Sequence, residues 1–180
     1  VNWQFTSGLL NGWLLTVPLI AVSLVLALLR PSAARRMADM TGYSTRERAA
    51  TIAASVAPYP FFVATIWTPL VRSWPTLAAG LVLSAIGLAA FVSAIGSFAA
   101  APGSALIERG LYRWSRNPIY VANALVCAGI CVATRHLLLA GWLLLLLLPQ
   151  HLMIRAEERR CAEQFGAPYA DYLRRVPRYL

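Results

Sequence analysis

Residues 137–153 read LLLAGWLLLLLLPQHLM, without one Asp, Glu, Lys or Arg. As a helix this stretch rises about 25 Å, close to the roughly 30 Å of a bilayer's hydrocarbon core. The next residues, Ile154-Arg155-Ala156-Glu157-Glu158-Arg159-Arg160, are abruptly charged. A membrane helix that runs on into water is the simplest reading, with Gly166 as its C-terminal stop.

Working outward, the same pattern repeats. Apolar runs over 9–29, 51–71, 76–98 and 118–134 precede it, each bounded by arginine or proline. The run over 51–71 holds Pro58, Pro60 and Pro69 and is expected to kink. The run over 76–98 carries Gly80, Ser84, Gly87, Ser93 and Gly96, small residues that let helices pack closely. The chain has 180 residues, of which 59% are hydrophobic and only 13% charged, against about a quarter charged in soluble domains. The expected fold is all-α: a single polytopic membrane domain of about five transmembrane helices. Segments 99–117 and 154–180 form its polar side, the latter a helical C-terminal tail. Past Pro168, Tyr169, Tyr172, Leu173 and Val176 make one apolar stripe.

Formal net charge is +9, and all sixteen basic residues are arginine. Fourteen of them, with all seven acids, lie in the segments after runs one and three and in the tail. The positive-inside rule accounts for this better than nucleic-acid binding, and it places the N-terminus outside and the C-terminus in the cytoplasm. Trp67, Trp74, Trp142 and Trp114 fit interfacial belts. The start of the chain lacks a charged n-region and a cleavage site, so run 9–29 reads as a retained span. Arginine and alanine bias without lysine fits a high-GC bacterial genome and hence a bacterial inner membrane. Three cysteines give no disulfide framework. Cys127 and Cys131, one turn apart with no His or Cys partner nearby, read as packing residues, and no metal site is expected.

Runs 118–134 and 137–153 are joined only by Arg135-His136, so they form an antiparallel hairpin. That hairpin brings Glu108–Tyr120 and Arg155–Arg160 to one membrane face. Carboxylates at Glu157 and Glu158, guanidinium groups at Arg116 and its neighbours, and apolar helix ends suit a zwitterionic ligand with an adenine-like part. The competing reading pairs these charges along the helix, Arg155 with Glu158 and Arg159 with Glu163.

The stretch Gly110–Tyr120, the hairpin, Glu157-Glu158, then Phe165-Gly166-Ala167-Pro168-Tyr169-Ala170-Asp171-Tyr172 and Val176-Pro177-Arg178 resemble the isoprenylcysteine carboxyl methyltransferase and phospholipid methyltransferase family. The resemblance covers the last 75 or so residues. It implies a membrane methyltransferase using S-adenosyl-L-methionine, acting on a lipophilic or small acceptor: carboxylate, amine or thiol. Carried over, Tyr112, Arg116, Asn117, Pro118 and Tyr120 shape the cofactor cleft. Glu157 and Glu158 hold the cofactor's amino or ribose groups, and Tyr169 and Tyr172 close the site. Glu158 and Arg174 are the implied catalytic residues, Glu158 as base for an amine acceptor and Arg174 beside the acceptor. Asn117 stands where many members have His; it can donate and accept hydrogen bonds but is no base near neutral pH. The Gly-x-Gly of phospholipid methyltransferases has no counterpart, Gly129 alone being nearby.

Two other classes fit less well. Arg159-Arg160-Cys161 with Phe165-Gly166 resembles NADPH-dependent sterol reductases, yet Glu157 and Glu158 would repel the cofactor's phosphates. A non-enzymatic membrane protein such as a transporter would show charges within its spans; here His151, near a span's end, comes closest.

Overall fold

The computed structural model describes residue 6, residues 8–103 and residues 105–180. The residues before Leu9, on which the reading of a retained N-terminal span partly rests, mostly lie outside that description. Among the described residues the chain is α-helical, with one isolated bridge between Asn11 and Pro69. The helices are α1 (Trp13–Leu29), α2 (Pro31–Met37), α3 (Thr45–Val56), α4 (Pro58–Ala64), α5 (Trp74–Ala100), a short 3-10 helix (Gly110–Arg113), α6 (Pro118–Thr134), α7 (Leu137–Phe165) and α8 (Ala167–Arg175).

By length and composition α5 and α7 each suffice to cross a membrane. α1 and α2 make a third candidate only if taken together, and they bend by 113° where Pro31 ends α1. α6 is apolar and 17 residues long. Its bounds are those expected, because the Asn-Pro step opens a helix and left-handed Arg135, at φ 48°, closes it.

The run over 51–71 is not one helix. α3 starts earlier, at Thr45, behind a capping box in which Ser44 and Glu47 satisfy each other's backbone N–H groups. The expected kink is instead a break. Pro58 has no N–H to give and cannot continue α3, so α4 restarts there and stops at Ala64. The irregular backbone beyond is held by side chains. Asn11 Nδ2 donates to the Ile66 carbonyl (2.7 Å), and Thr16 and Thr65 share a hydroxyl contact (3.1 Å). Non-helical backbone is tolerated at membrane depth only when its polar groups find such partners.

α5 and α6 form the central seam. A Cβ added at Gly80 would lie 2.5 Å from the Ala133 nitrogen, and one at Gly87 would lie 2.7 Å from the Val126 nitrogen. Glycine is required where two backbones approach this closely. Leu19, Phe61, Phe91, Val126, Ile130 and Leu146 complete the buried core around the seam. Outward-facing Leu24 and Leu28 on α1, and Leu144, Leu145 and Leu148 on α7, remain well exposed, as a lipid-facing surface does.

α7 continues beyond its apolar part, which ends near Met153, and carries the charged stretch to Phe165. Gly166, at φ +59°, turns the chain into α8. Tyr169, Tyr172 and Val176 are buried there against Leu106, Cys161 and Phe165. Leu173, the fourth member of the expected stripe, faces outward.

Candidate functional site

At the arginine-rich end of the bundle lies an open-sided cavity of about 400 Å³, within the usual range for small-molecule sites. Four parts of the chain build its walls: the end of α2 with the turn after it, the end of α5 with its connector, the segment 112–120 opening α6, and the extension of α7 with α8. The α6–α7 hairpin explains the convergence. It returns Glu157 and Glu158 to the level of Arg116, Asn117 and Tyr120.

The paired glutamates do different things. Glu158 is buried, and both its oxygens are occupied. Oε1 accepts from Asn117 Nδ2 (3.0 Å) and lies 3.3 Å from Arg116 Nε; Oε2 accepts from Arg178 Nε (2.9 Å) and Nη2 (2.7 Å). A buried carboxylate is tolerated only with such donors. The same cluster ties down the end of the chain. Asn117 Nδ2 donates to the Arg178 carbonyl (3.1 Å), Ser115 Oγ to the same oxygen (3.3 Å), and the Arg116 N–H to the Pro177 carbonyl (3.0 Å). This is the local reason for the Val176-Pro177-Arg178 sequence: the extended segment after α8 docks along the turn before α6.

Glu157 lines the cavity with one hydrogen bond, accepted by Oε1 from the Tyr120 hydroxyl (2.6 Å). It lies past the apolar part of α7. Burial pushes its carboxyl up to about 7, and neighbouring Glu158 adds to this, while Tyr120 and Arg160 oppose it. Such a group gains by meeting a cation.

Eight of the nine expected cofactor-binding residues line the cavity: Tyr112, Arg116, Asn117, Tyr120, Glu157, Glu158, Tyr169 and Tyr172. Pro118 is buried at the first turn of α6, behind them. Tyr172 is fixed by donating to the Tyr112 carbonyl (2.7 Å). Arg174 is not brought to the site: it pairs with Asp171 on the outer face of α8, with its side chain 74% exposed. Of the two local ion pairs expected on α7, Arg159 with Glu163 forms, whereas Glu158 turns inward to Arg116 and Arg178.

Sequence reasoning missed Arg36, Asp39 and Tyr43, contributed from the α2–α3 region, and Cys161 on α7, and it brought Arg160 to this face without giving it a role. It also missed Arg178, whose only sequence signal was its place after Val-Pro. The charged lining is balanced, with Arg36, Arg116 and Arg160 against Asp39, Glu157 and Glu158. The remaining wall is apolar, with Phe98, Leu106, Ile107, Ile119 and Phe165. Among the described residues no group of His, Cys, Asp and Glu is arranged to hold a metal.

The sequence profile of the phospholipid methyltransferase family matches residues 75–168, just over half of the chain. The match runs from the first turn of α5 to the start of α8 and agrees with the resemblance drawn from the C-terminal motifs. No curated protein matches the chain.

Proposed function

The chain belongs to the phospholipid methyltransferase family, and from that premise we propose that it is a membrane-embedded methyltransferase using S-adenosylmethionine to methylate a lipophilic or small acceptor. The observation that carries the proposal is the cavity's charge balance at the meeting of 112–120 with Glu157-Glu158. Three cations and three anions beside apolar walls match a zwitterion carrying a purine better than they match a polyanion. NADPH, with its extra phosphate, would face three acids, which disfavours the reductase reading.

The residues fit the cofactor by their chemistry. Glu157, which lines the cavity with a hydrogen bond from Tyr120, is suited to the ligand's ammonium group. Arg116 supplies a guanidinium group for its carboxylate, and Leu106, Ile107 and Phe165 offer apolar surface to the purine. When bound, the cofactor supplies an electrophilic methyl group on a sulfonium centre. The chain's part is to bind, to align the acceptor and to exclude water. Carboxylate and thiolate acceptors need no base. For an amine acceptor a base is needed, and Glu158, both of whose oxygens already face donors, is poorly disposed to be it.

We place the cavity on the cytoplasmic side of a bacterial inner membrane with the N-terminus outside, following the arginine distribution. A five-span arrangement then asks α3–α4 and α6 to cross beside α1, α5 and α7. The functional test is calorimetric titration of the detergent-solubilised protein with S-adenosylmethionine, S-adenosylhomocysteine and NADPH. Binding of the first two, abolished in Glu157→Ala and absent for NADPH, is the expected result. A folded sample that binds neither methyl donor nor product overturns the proposal.

A further inference from the structure

The family match starts at residue 75, yet one wall of the cavity comes from before it. Arg36, Met37, Asp39 and Tyr43 all line the space. They belong to α2 and to the turn leading into α3, a segment that crosses in front of the α7 extension. Two adjacent arginines on α7 hold it there. Arg159 donates from Nε and Nη2 to the Glu47 carboxylate (2.7 and 2.8 Å) and from Nη2 to the Gly42 carbonyl (3.0 Å). Arg160 bonds both the carboxylate and the carbonyl of Asp39. At the segment's other end Arg36 caps α5, donating to the carbonyls of Ala101 (2.9 Å) and Phe98 (3.0 Å), with its guanidinium over the Phe98 ring.

These attachments differ in kind. The Arg36 end is a helix cap backed by an aromatic ring, favourable to the negative end of a helix. At Asp39 and Glu47 the segment meets α7 through ion pairs whose side chains are about a quarter to two-fifths exposed, beside buried Tyr43 and the packing of α3 on α7. Pairs open to solvent are individually weak and are screened by salt. Between Asp39 and Glu47 the chain turns at Gly42, whose φ of +78° favours glycine and whose carbonyl Arg159 also holds. The stretch between the Arg36 cap and the body of α3 is the part that the ion pairs latch.

We infer that residues 38–48 form a strap over the cavity, latched to α7 by Asp39–Arg160 and Glu47–Arg159, and that release of this latch controls entry to and escape from the site. The latch stands on geometry alone; that the molecule passing it is the methyl donor rests on the proposed function. Cys161, next to Arg160 and lining the cavity, reports the opening. Burial holds its thiol up at about 11, so opening speeds its reaction both by admitting reagent and by easing ionisation. Cys127, buried in the α5–α6 core, reports loss of the fold as a whole.

The experiment measures modification of Cys161 and Cys127 in the full chain by a polar maleimide, resolved by peptide mass spectrometry. Asp39→Asn and Glu47→Gln are each expected to speed Cys161 labelling roughly two- to fivefold, and the double variant about tenfold, with Cys127 unchanged. Raising ionic strength is expected to speed Cys161 labelling in the unaltered protein and to do little in the double variant. An unchanged Cys161 rate, or Cys161 and Cys127 rising together, overturns the strap. The dissociation rate of S-adenosylhomocysteine is then expected to rise with Cys161 labelling across the variants. If the nucleoside fails to bind while the labelling behaves as stated, the methyltransferase reading falls and the strap remains.

Discussion

Tyr120 donates its hydroxyl proton to Glu157 Oε1 across 2.6 Å, and this bond joins the first turn of α6 to the extension of α7. It holds Glu157 at the cavity wall, and it stabilises the ionised carboxyl against the effect of burial. Removing it in Tyr120→Phe is expected to weaken S-adenosylhomocysteine binding about tenfold or more at neutral pH, since hydrogen bonds to charged groups contribute about 1.5–3 kcal/mol. It should also move the midpoint of the binding pH profile upward. Calorimetry across pH checks both, and an unshifted midpoint would show that Glu157 does not meet the ligand.

Proton linkage gives a second expectation. The Glu157 carboxyl sits at about 7 in the folded chain against an ordinary value of 4.5. Between those values the folded protein keeps a proton that the unfolded chain has lost. The stability from this group is therefore complete below about 4.5 and gone as pH rises through 7. A ligand ammonium beside Glu157 reverses the balance, adding its charge to the influence of Tyr120 and Arg160 in favour of the ionised carboxyl. Binding should then release a proton below pH 7, and affinity should rise with pH toward a plateau above it. Titrations in buffers of different ionisation enthalpy measure the released proton, and Glu157→Gln should abolish it.

The seam between α5 and α6 tests the packing. Gly80→Ala places a methyl 2.5 Å from the Ala133 backbone nitrogen, where nothing flexible can yield. Overpacking of this kind costs about 1–3 kcal/mol. Gly96, on the same helix, has nothing within 4 Å of its would-be Cβ. Gly96→Ala should be neutral or stabilising by about 0.5–1 kcal/mol through helix propensity. Thermal unfolding in detergent should separate the two variants in opposite directions.

How far the sequence could be read depends on what each residue's partners are. The bounds of α6 and the end of α7 follow from local signals, the Asn117-Pro118 step and Gly166, and no distant contact alters them. Tyr169, Tyr172 and Val176 were legible as a buried face because their spacing is helical. Leu173, at the edge of that stripe, ended outside because α8 meets its support over a narrow front. The division of 51–71 was harder: three prolines signal a disturbance, but only packing decides between a kink and a break. α3 begins ahead of the apolar run, at the Ser44-x-x-Glu47 capping box, which a reading by hydropathy passes over. The strap was invisible for another reason: Asp39 and Glu47 lie more than 110 residues from the arginines that hold them, and nothing in their own neighbourhood marks the pairing.

Arg174 and Arg178 invite the sharpest comparison, since the family resemblance favoured the first and geometry favours the second. Arg174 reaches only Asp171 on the surface of α8. Arg178 grips Glu158 with two nitrogens while its carbonyl accepts from Asn117 and Ser115. Arg174→Ala should change thermal stability by less than about 0.5 kcal/mol, as exposed pairs do, and leave cofactor affinity within about twofold. Arg178→Ala should cost about 1.5–3 kcal/mol by leaving one oxygen of a buried carboxylate without its donors. It should weaken cofactor binding too, because Asn117 and Arg116 share the same anchor. Glu158→Gln removes the other half of the pair, so the Arg178→Ala/Glu158→Gln double variant should lose less than the sum of the singles. An additive double variant would mean that the two side chains act separately. Equal effects from Arg174→Ala and Arg178→Ala would return Arg174 to the site.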